Sequence, residues 1–406
     1  MTELNTMFDL SSKRASFAAR HPFLTALALS LGAAISLGLS RFSYALLLPP
    51  MRNDLGWSYL LAGSMNTGNA FGYFIGAIVT PILMRRCRAQ TAFVYGALAA
   101  SGFMMLSGMV VDANLLMAQR VLAGFASAFI FISGGVLVVR LSALHPQRAG
   151  LLIGIFYGGT GLGIVLSAFL VPVALAAATH HGAAHGWQWA WIVLGAVCLL
   201  ATALMAPLSA QIDGAPSAQN TQGNFRIKPF AFGLAGYLMF GVGYIGYMTF
   251  VIALLKEQGM EANTITLFYA SLGLAVIASS RIWARMLDRF KGGQAMAILN
   301  ALLGVATILP ALTAIPVWIF ASGLLFGALF LSVVAASTAL VRHNLPDHAW
   351  SAGISAFTTV FAFGQIIGPS VIGWIADGPG GLQHGLIFSA LALFVGAILA
   401  SRQSAL

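Results

Sequence analysis

Three arginines lie inside long apolar runs of the sequence, where charged side chains are rare. Arg41 and Arg281 each stand well inside their runs, and Arg120 stands near one end of its run. A charge inside a bilayer costs at least about 2.5 kcal/mol, so such residues usually face a cavity or a partner. None of the ten Asp and Glu residues falls near the middle of an apolar run. The arginines therefore predict a site for an anion, because a planar guanidinium holds a carboxylate or a phosphate bidentately.

Each of these arginines also has a structural interpretation. Arg281 could extend to the aqueous interface together with Arg285, and Arg41 could bond to backbone carbonyls near Pro49–Pro50. For Arg120, which is only about a turn from the outer end of its run, extension to the interface is the favoured interpretation. We expect Arg41 and Arg281 to bind substrate.

Polar side chains recur on single faces of the predicted helices. Asn66, Asn69 and Tyr73 have the spacing i, i+3 and i+7, and Tyr237 and Tyr244 are seven residues apart. Interhelical hydrogen bonding explains any one of them equally well. As a set they predict a ligand site between aromatic walls. The predicted substrate-binding residues are Arg41, Arg281, Asn66, Asn69, Tyr73, Tyr157, Tyr244 and Gln365.

The elements that must position these residues are membrane helices. The sequence is 59% hydrophobic and 7% charged, whereas an ordinary soluble domain is about 25% charged. Apolar runs of about 20 residues, long enough to cross roughly 30 Å of hydrocarbon, recur along the chain. We predict an all-α integral membrane protein with twelve spans, at 22–48, 58–84, 91–111, 115–140, 150–177, 187–208, 229–254, 264–287, 294–314, 316–341, 351–377 and 383–401.

The basic residues predict the orientation of these spans. Fifteen of the 20 Lys and Arg residues fall in alternate loops, on the side of both termini, whereas the other side has only Arg52 and Lys256. Such asymmetry marks the cytoplasmic side. It accounts for the net charge of +10, so nucleic acid is not an expected partner. We predict a multi-pass monomer of the bacterial inner membrane with cytoplasmic termini, in contact with the lipid bilayer.

The two halves of the chain repeat each other. The basic loop at Arg85 returns near Asp288–Lys291, and the loop at His145–Pro146 returns at Leu345–Pro346. A polar, linker-like stretch at 209–228 separates them. We predict a tail at 1–21, a six-helix bundle at 22–208, the linker at 209–228, a second bundle at 229–401 and a tail at 402–406. Two pseudo-symmetric bundles that rock about a central site are typical of secondary transporters.

Several stretches resemble the major facilitator superfamily, over essentially the whole chain. SRFSYALLLPPM, GNAFGYFIGA, FGVGYIGYMTF and FGQIIGPSVIG are similar to its bacterial YbfB/YjiJ-type branch. The resemblance implies the fold of that superfamily, with two six-helix bundles and transport by alternating access.

The resemblance also implies gating residues. The family's basic loop motif has its first copy in PILMRRCRA, with Arg85 where Asp is expected, and its second in ARMLDRFKG, which keeps Asp288 and Arg289. Arg120, in RVLAGFASA, resembles the family's buried arginine for substrate or proton handling. GIFYGGTGLG resembles the antiporter motif but has Gly159 in place of its proline, so antiport does not follow. The predicted gating residues are Arg120, Asp288 and Arg289 from this resemblance, together with Gly158, Gly368 and Pro369. The last three are predicted from GxxxG spacing and a proline kink, which suit a rocking helix, although packing is the favoured interpretation of the glycines.

The sequence thus favours a secondary carrier of a small organic anion, possibly with a proton. A multidrug or metabolite efflux carrier is the alternative, although cationic drugs would favour an acid in the cavity. A membrane enzyme or a sensor is less consistent, because the acids are scattered and we expect no room for an appended signalling domain. All eight histidines lie in loops or at helix ends. The proton could therefore travel with the substrate, or Asp377 and His384 could act at the outer rim, or the carrier could exchange anions.

The sequence predicts no metal site and no cofactor. The two cysteines, Cys87 in a predicted loop and Cys198 in a predicted helix, are not placed for a structural disulfide or a metal site. The segment His180–His185 is interpreted as a solvated loop.

Overall fold

The protein is a bundle of long helices. The computed structural model describes residues 20–212, 225–346 and 349–406, and these include twelve helices long and apolar enough to cross a membrane. In chain order they are α1 Pro22–Leu55, α2 Tyr59–Met84, α3 Ala89–Ser107, α4 Ala113–Ala143, α5 Ala149–His180, α6 Gly186–Ser209, α7 Ala231–Glu257, α8 Ala262–Ile282, α9 Gln294–Leu312, α10 Pro316–Asn344, α11 Trp350–Ala376 and α12 Gly381–Ser401. The all-α fold and the twelve predicted spans are confirmed.

Two predicted helix ends differ from the structure by about five residues or more. We expected the first span to stop at Leu48, but α1 continues through Pro49–Pro50 and stops before Gly56, which has a φ of 64°. A left-handed glycine is a common helix terminator, whereas proline is tolerated inside membrane helices. We expected the eighth span to reach residue 287, but α8 ends at Ile282 and a short helix, Ala284–Arg289, follows it.

Helix α1 changes its winding in the middle. Residues Ala34–Phe42 form a π-helical segment, in which the backbone N–H of Ser43 donates to the carbonyl of Gly38 at 3.0 Å. Helices of this type are rare and often mark functional sites. The segment contains Arg41, so the predicted site residue lies where the helix is irregular.

Helices α1–α6 pack mainly on one another, and so do α7–α12. The two halves meet where α2 packs on α11, where α5 packs on α8, and where α1 approaches α7. Because the number of spans is even, the described ends of the chain lie on one side, which we call the terminal face; the other side is the opposite face. The two six-helix bundles predicted from the sequence correspond to this arrangement.

The predicted tails and linker lie partly outside the residues that the structure describes. Residues 1–19 of the predicted tail and residues 213–224 of the predicted linker lie outside them. The predicted tail at 402–406 is packed against the second half: the amide of buried Gln403 accepts from Gly233 N at 3.0 Å and donates to Pro229 O at 3.0 Å. The exact domain limits remain predictions.

Candidate functional site

Arg41 is a buried cation with two guanidinium nitrogens that find no acceptor among the described residues. Only 3% of the residue is exposed, and its Nε and Nη2 atoms are buried without any hydrogen-bond acceptor. Among the described residues, no ion pair to Arg41 is found either. A buried charge that is left unpaired is costly, so proteins normally pair it. The site around Arg41 therefore favours a bound anion.

The backbone on either side of Arg41 is held by two other helices. The carbonyl of Ser40 accepts from Nη1 of Arg120, on α4, at 2.8 Å. The carbonyl of Phe42 accepts from the hydroxyl of Tyr269, on α8, at 2.7 Å. A π-helical segment disturbs the regular backbone pattern, and these side chains satisfy carbonyls within it. Arg41 is thus anchored by both halves of the protein.

Three tyrosines from other helices lie near Arg41. Tyr73 of α2 and Tyr244 of α7 are each within electrostatic range of its guanidinium, and Tyr157 of α5 is within the same range of Tyr73. Tyr157 is 39% exposed, whereas Tyr244 is buried. The predicted residues Arg41, Tyr73, Tyr157 and Tyr244 are therefore brought together, with hydroxyls that could donate hydrogen bonds to an anion.

A wall of nearly parallel aromatic rings continues from Tyr244. Tyr237, Phe240 and Tyr244 follow one another along α7, and Phe361 of α11 stacks on all three with ring centroids 5.0–5.5 Å apart. Phe330 of α10 stacks on Tyr244 at 6.0 Å. The second half thus places a cluster of buried aromatic rings near Arg41.

Arg281 is not part of this group. It is exposed in the last turn of α8. This position fits the alternative interpretation, in which the side chain extends to the aqueous interface, and not the expected place beside Arg41. A substrate contact by Arg281 stays a prediction that the geometry does not favour.

The two predicted asparagines have protein partners. The amide of Asn66 donates to Thr249 Oγ1 at 2.7 Å and accepts from Arg120 Nη2 at 3.4 Å. The amide of Asn69 donates to the carbonyl of Arg120 at 3.1 Å. These bonds join different helices, as expected if the two asparagines hold the helices together rather than bind a ligand. Gln365 is also buried, on α11.

Arg120 does not extend to the interface, and that interpretation was wrong. It is 3% exposed, and its Cζ atom lies 4.8 Å from the ring centre of Tyr44 and 5.4 Å from that of Trp191. The hydrogen bond to Ser40 and the two aromatic faces draw it inwards. Helix α4 also begins at Ala113, two residues earlier than predicted, which places Arg120 deeper in the helix.

The predicted gating residues lie at different contacts. Gly158 faces Ile277 across the α5–α8 contact, and the carbonyl of Pro369 lies where a Cβ atom on Gly63 of α2 would overlap it. Gly368 packs instead on Val242, within the second half. Asp288 and Arg289 are exposed in the short helix after α8. Their gating roles remain predictions.

Contacts between the halves at the opposite face were not foreseen. Ser370 of α11 lies 2.8 Å from the hydroxyl of Thr67 and 3.3 Å from that of Ser64, both on α2. The carboxylate of Asp377 caps the first turn of α2. These pairs are about 300 residues apart in the chain, so no local sequence signal could join them. They close the opposite face in this structure.

A model of the family described as "Uncharacterised MFS-type transporter YbfB" matches residues 33–401. A protein of Agrobacterium vitis named "Putative tartrate transporter" is 25% identical over 393 residues, covering 86% of each chain. A "Purine ribonucleoside efflux pump NepI" from Shigella sonnei is 23% identical over 368 residues, covering 87% of each.

Two solved structures share the fold. A bacterial homologue of the human lysosomal transporter Spinster, in an inward-facing and unoccupied conformation, superposes with a TM-score of 0.70 at 15% identity, covering 95% of this chain and 97% of that chain. The nucleoside transporter NupG superposes with a TM-score of 0.70 at 13% identity, covering 93% and 98%.

Proposed function

Since this chain belongs to the YbfB-type family of the major facilitator superfamily, we propose that it is a secondary active transporter of a small organic anion, most simply a carboxylate. As a member of this family it is a multi-pass membrane transporter and not an enzyme. The proposal places it in the bacterial inner membrane, with the basic terminal face in the cytoplasm.

The observation that carries the proposal is the buried guanidinium of Arg41. Its Nε and Nη2 atoms have no acceptor, and two adjacent nitrogens of a guanidinium match the two oxygens of a carboxylate. The hydroxyls of Tyr73 and Tyr244, near this charge, supply further donors. An arriving carboxylate would thus replace missing hydrogen bonds rather than compete with existing ones.

Alternating access would follow from the way in which the halves meet. The opposite face is closed by contacts between α2 and α11, from Tyr59 to Thr67 on α2. Tyr157 lies in the part of α5 nearer the terminal face, so a path from that face to Arg41 would pass it. We therefore interpret the structure as the state that exchanges substrate with the cytoplasm. Rocking of the two bundles would break the α2–α11 contacts and expose the site to the other side.

A second candidate is a carrier of nucleosides or similar flat molecules. The stacked rings of Tyr237, Phe240, Tyr244 and Phe361 favour a planar ligand, since aromatic faces stack with one another. One relative is named a purine ribonucleoside efflux pump, whereas another is named for tartrate, a dicarboxylate. The two candidates differ in whether binding needs a negative charge on the ligand.

A thermal-shift screen of the detergent-purified protein separates them. The panel is tartrate, benzoate, inosine, a neutral sugar and a lipophilic cation, because a ligand that binds only the folded state raises the Tm. We expect a carboxylate to raise the Tm of the wild type and of Arg281→Gln, but not of Arg41→Gln. Stabilisation by inosine alone, unchanged in Arg41→Gln, would replace the anion carrier with the second candidate.

A further inference from the structure

A cavity of about 160 Å³ lies at the opposite face, between the two halves. Arg52 and Asn53 from the end of α1, Tyr59 from the start of α2, and Lys256 and Glu257 from the end of α7 line it. Its position between α1 and α7 means that both halves contribute to its wall. It is separate from the site around Arg41, because the eleven residues of α1 from Arg41 to Arg52 correspond to about 16 Å along a helix.

The cavity gathers the basic residues of the opposite face. Arg52 and Lys256 are 204 positions apart in the sequence, and the other Lys and Arg residues of the described part of the chain lie at the terminal face or inside the spans. Because both Arg52 and Lys256 line this one cavity, we expect it to be a positively charged site.

Neither cation forms an ion pair with a carboxylate among the described residues. Among the described residues, no carboxylate oxygen lies within 4.0 Å of a nitrogen of Arg52 or Lys256. The guanidinium of Arg52 lies over the ring of Tyr59 at 3.7 Å, and its Nε atom is buried without an acceptor. Such a donor lacks the hydrogen bond that buried polar groups normally make.

The acids around the cavity are bonded to other groups. Glu257 accepts from the hydroxyl of Tyr59, Asp377 accepts from the amides that begin α2, and Asp54 bonds His185 and Trp187. Of these acids only Glu257 lines the cavity, so with Arg52 and Lys256 charged the lining carries more positive than negative charge. The cavity therefore has donors and positive charge to offer a small anion.

We propose that this cavity is a second anion site, which takes an anion of carboxylate or phosphate size between Arg52 and Lys256. The two cations belong to different halves, so the anion bridges them only while the opposite face is closed. By its preference for that state, a bound anion shifts the population towards closure of the opposite face. The site thus lets anion concentration on that side regulate the carrier.

The test uses the Arg41→Gln variant, in which the central site is removed, so that its outcome does not depend on the proposed transport function. Orthophosphate and acetate are titrated at constant ionic strength, with a bulky sulfonate buffer as the balancing anion, and the Tm is followed. We expect either anion to raise the Tm of the wild type and of Arg41→Gln.

Adding Arg52→Gln or Lys256→Gln should raise the apparent Kd at least about tenfold. Arg86→Gln, which removes an exposed charge from the terminal face, serves as the matched control and should leave the Kd unchanged.

Glu257→Gln is expected to act in the other direction. Removing the negative charge from the cavity should lower the apparent Kd several-fold, and this result does not depend on whether the arginine and lysine variants fold. The proposal is overturned if no anion stabilises Arg41→Gln, if Arg52→Gln and Lys256→Gln bind as well as the parent, or if Glu257→Gln weakens binding.

The predicted closure is measured by cysteine labelling. Ser370→Cys, in a Cys87→Ser background, places a thiol in the α2–α11 contact. We expect orthophosphate to slow its reaction with a maleimide, and to lose this effect when Arg52→Gln is added. Equal labelling rates with and without orthophosphate would contradict the link between the site and closure.

Discussion

The carboxylate of Asp377 accepts a hydrogen bond from the backbone N–H of Tyr59 at 2.7 Å, although 318 positions separate the two residues. Its other oxygen accepts from Leu60 N at 2.8 Å. A carboxylate at a helix N-terminus satisfies free amides and complements the helix dipole. Here the cap comes from α11 in the second half and the helix is α2 in the first. The bond therefore exists only while the opposite face is closed.

Replacing this cap should favour the state that is open at the opposite face. Loss of a helix cap costs about 1 kcal/mol, and in Asp377→Ala that cost falls on the closed state alone. We expect about a fivefold increase in the maleimide labelling rate of a cysteine at Thr67, in a Cys87→Ser background. A population change of this size follows from about 1 kcal/mol at 25 °C.

Asp112→Ala is the matched control for this experiment. Asp112 caps α4 within the first half, by accepting from Asn114 N at 3.0 Å and Leu115 N at 2.9 Å. Its loss should lower the Tm without raising the labelling rate. Equal effects of the two variants on labelling would show that Asp377 has no special part in closure.

Two glycines of α2 should respond differently to alanine. A Cβ atom on Gly63 would overlap the carbonyl of Pro369 in the other half, whereas one on Gly72 would overlap the carbonyl of Val121 in the same half. Gly63→Ala should therefore raise labelling at the opposite face and reduce transport, with a small change in Tm. Gly72→Ala should lower the Tm by several degrees, because α2 and α4 can no longer approach. A Gly63→Ala protein with normal labelling would contradict the tight α2–α11 contact.

Tyr269 should couple the second half to Arg41. In Tyr269→Phe the carbonyl of Phe42 loses its hydrogen bond, which is worth about 1 kcal/mol. We expect a several-fold rise in the Kd of the stabilising carboxylate, measured by titration of the Tm. Tyr247→Phe is the control, since its hydroxyl bonds Ser322 within the second half, at 2.7 Å. The Tyr247→Phe variant should bind the carboxylate with the Kd of the wild type, even if its Tm changes.

Arg120 should be needed for stability as well as binding. Arg120→Gln removes the bond to Ser40 O and the contacts with Tyr44 and Trp191. An orphaned buried carbonyl costs about 1–3 kcal/mol, so we expect a Tm lower by several degrees and weaker carboxylate binding. Arg120→Lys should restore neither, because an ammonium lacks the planar fork of a guanidinium. A stable Arg120→Gln protein with unchanged Kd would show that this arginine does not position Arg41.

The spans could be predicted because apolar length alone determines what crosses a bilayer. Arg41 was also predictable, since a charge inside an apolar run has few explanations. The direction of Arg120 was not, because it depends on Ser40 and on two rings from other helices. The cap of Asp377 on α2 and the meeting of Arg52 with Lys256 depend on how the two halves dock. Such long-range pairs leave no periodic pattern in a single sequence.

The most direct test of the account is flux in proteoliposomes loaded with the carboxylate that gives the largest thermal shift. Counterflow of the labelled compound is compared for the wild type, Arg41→Gln and the surface control Arg86→Gln. The account predicts that the wild type and Arg86→Gln exchange the carboxylate at similar rates and that Arg41→Gln, although folded, does not exceed empty liposomes. Carboxylate exchange by Arg41→Gln at the wild-type rate would contradict the assignment of this arginine to the substrate site.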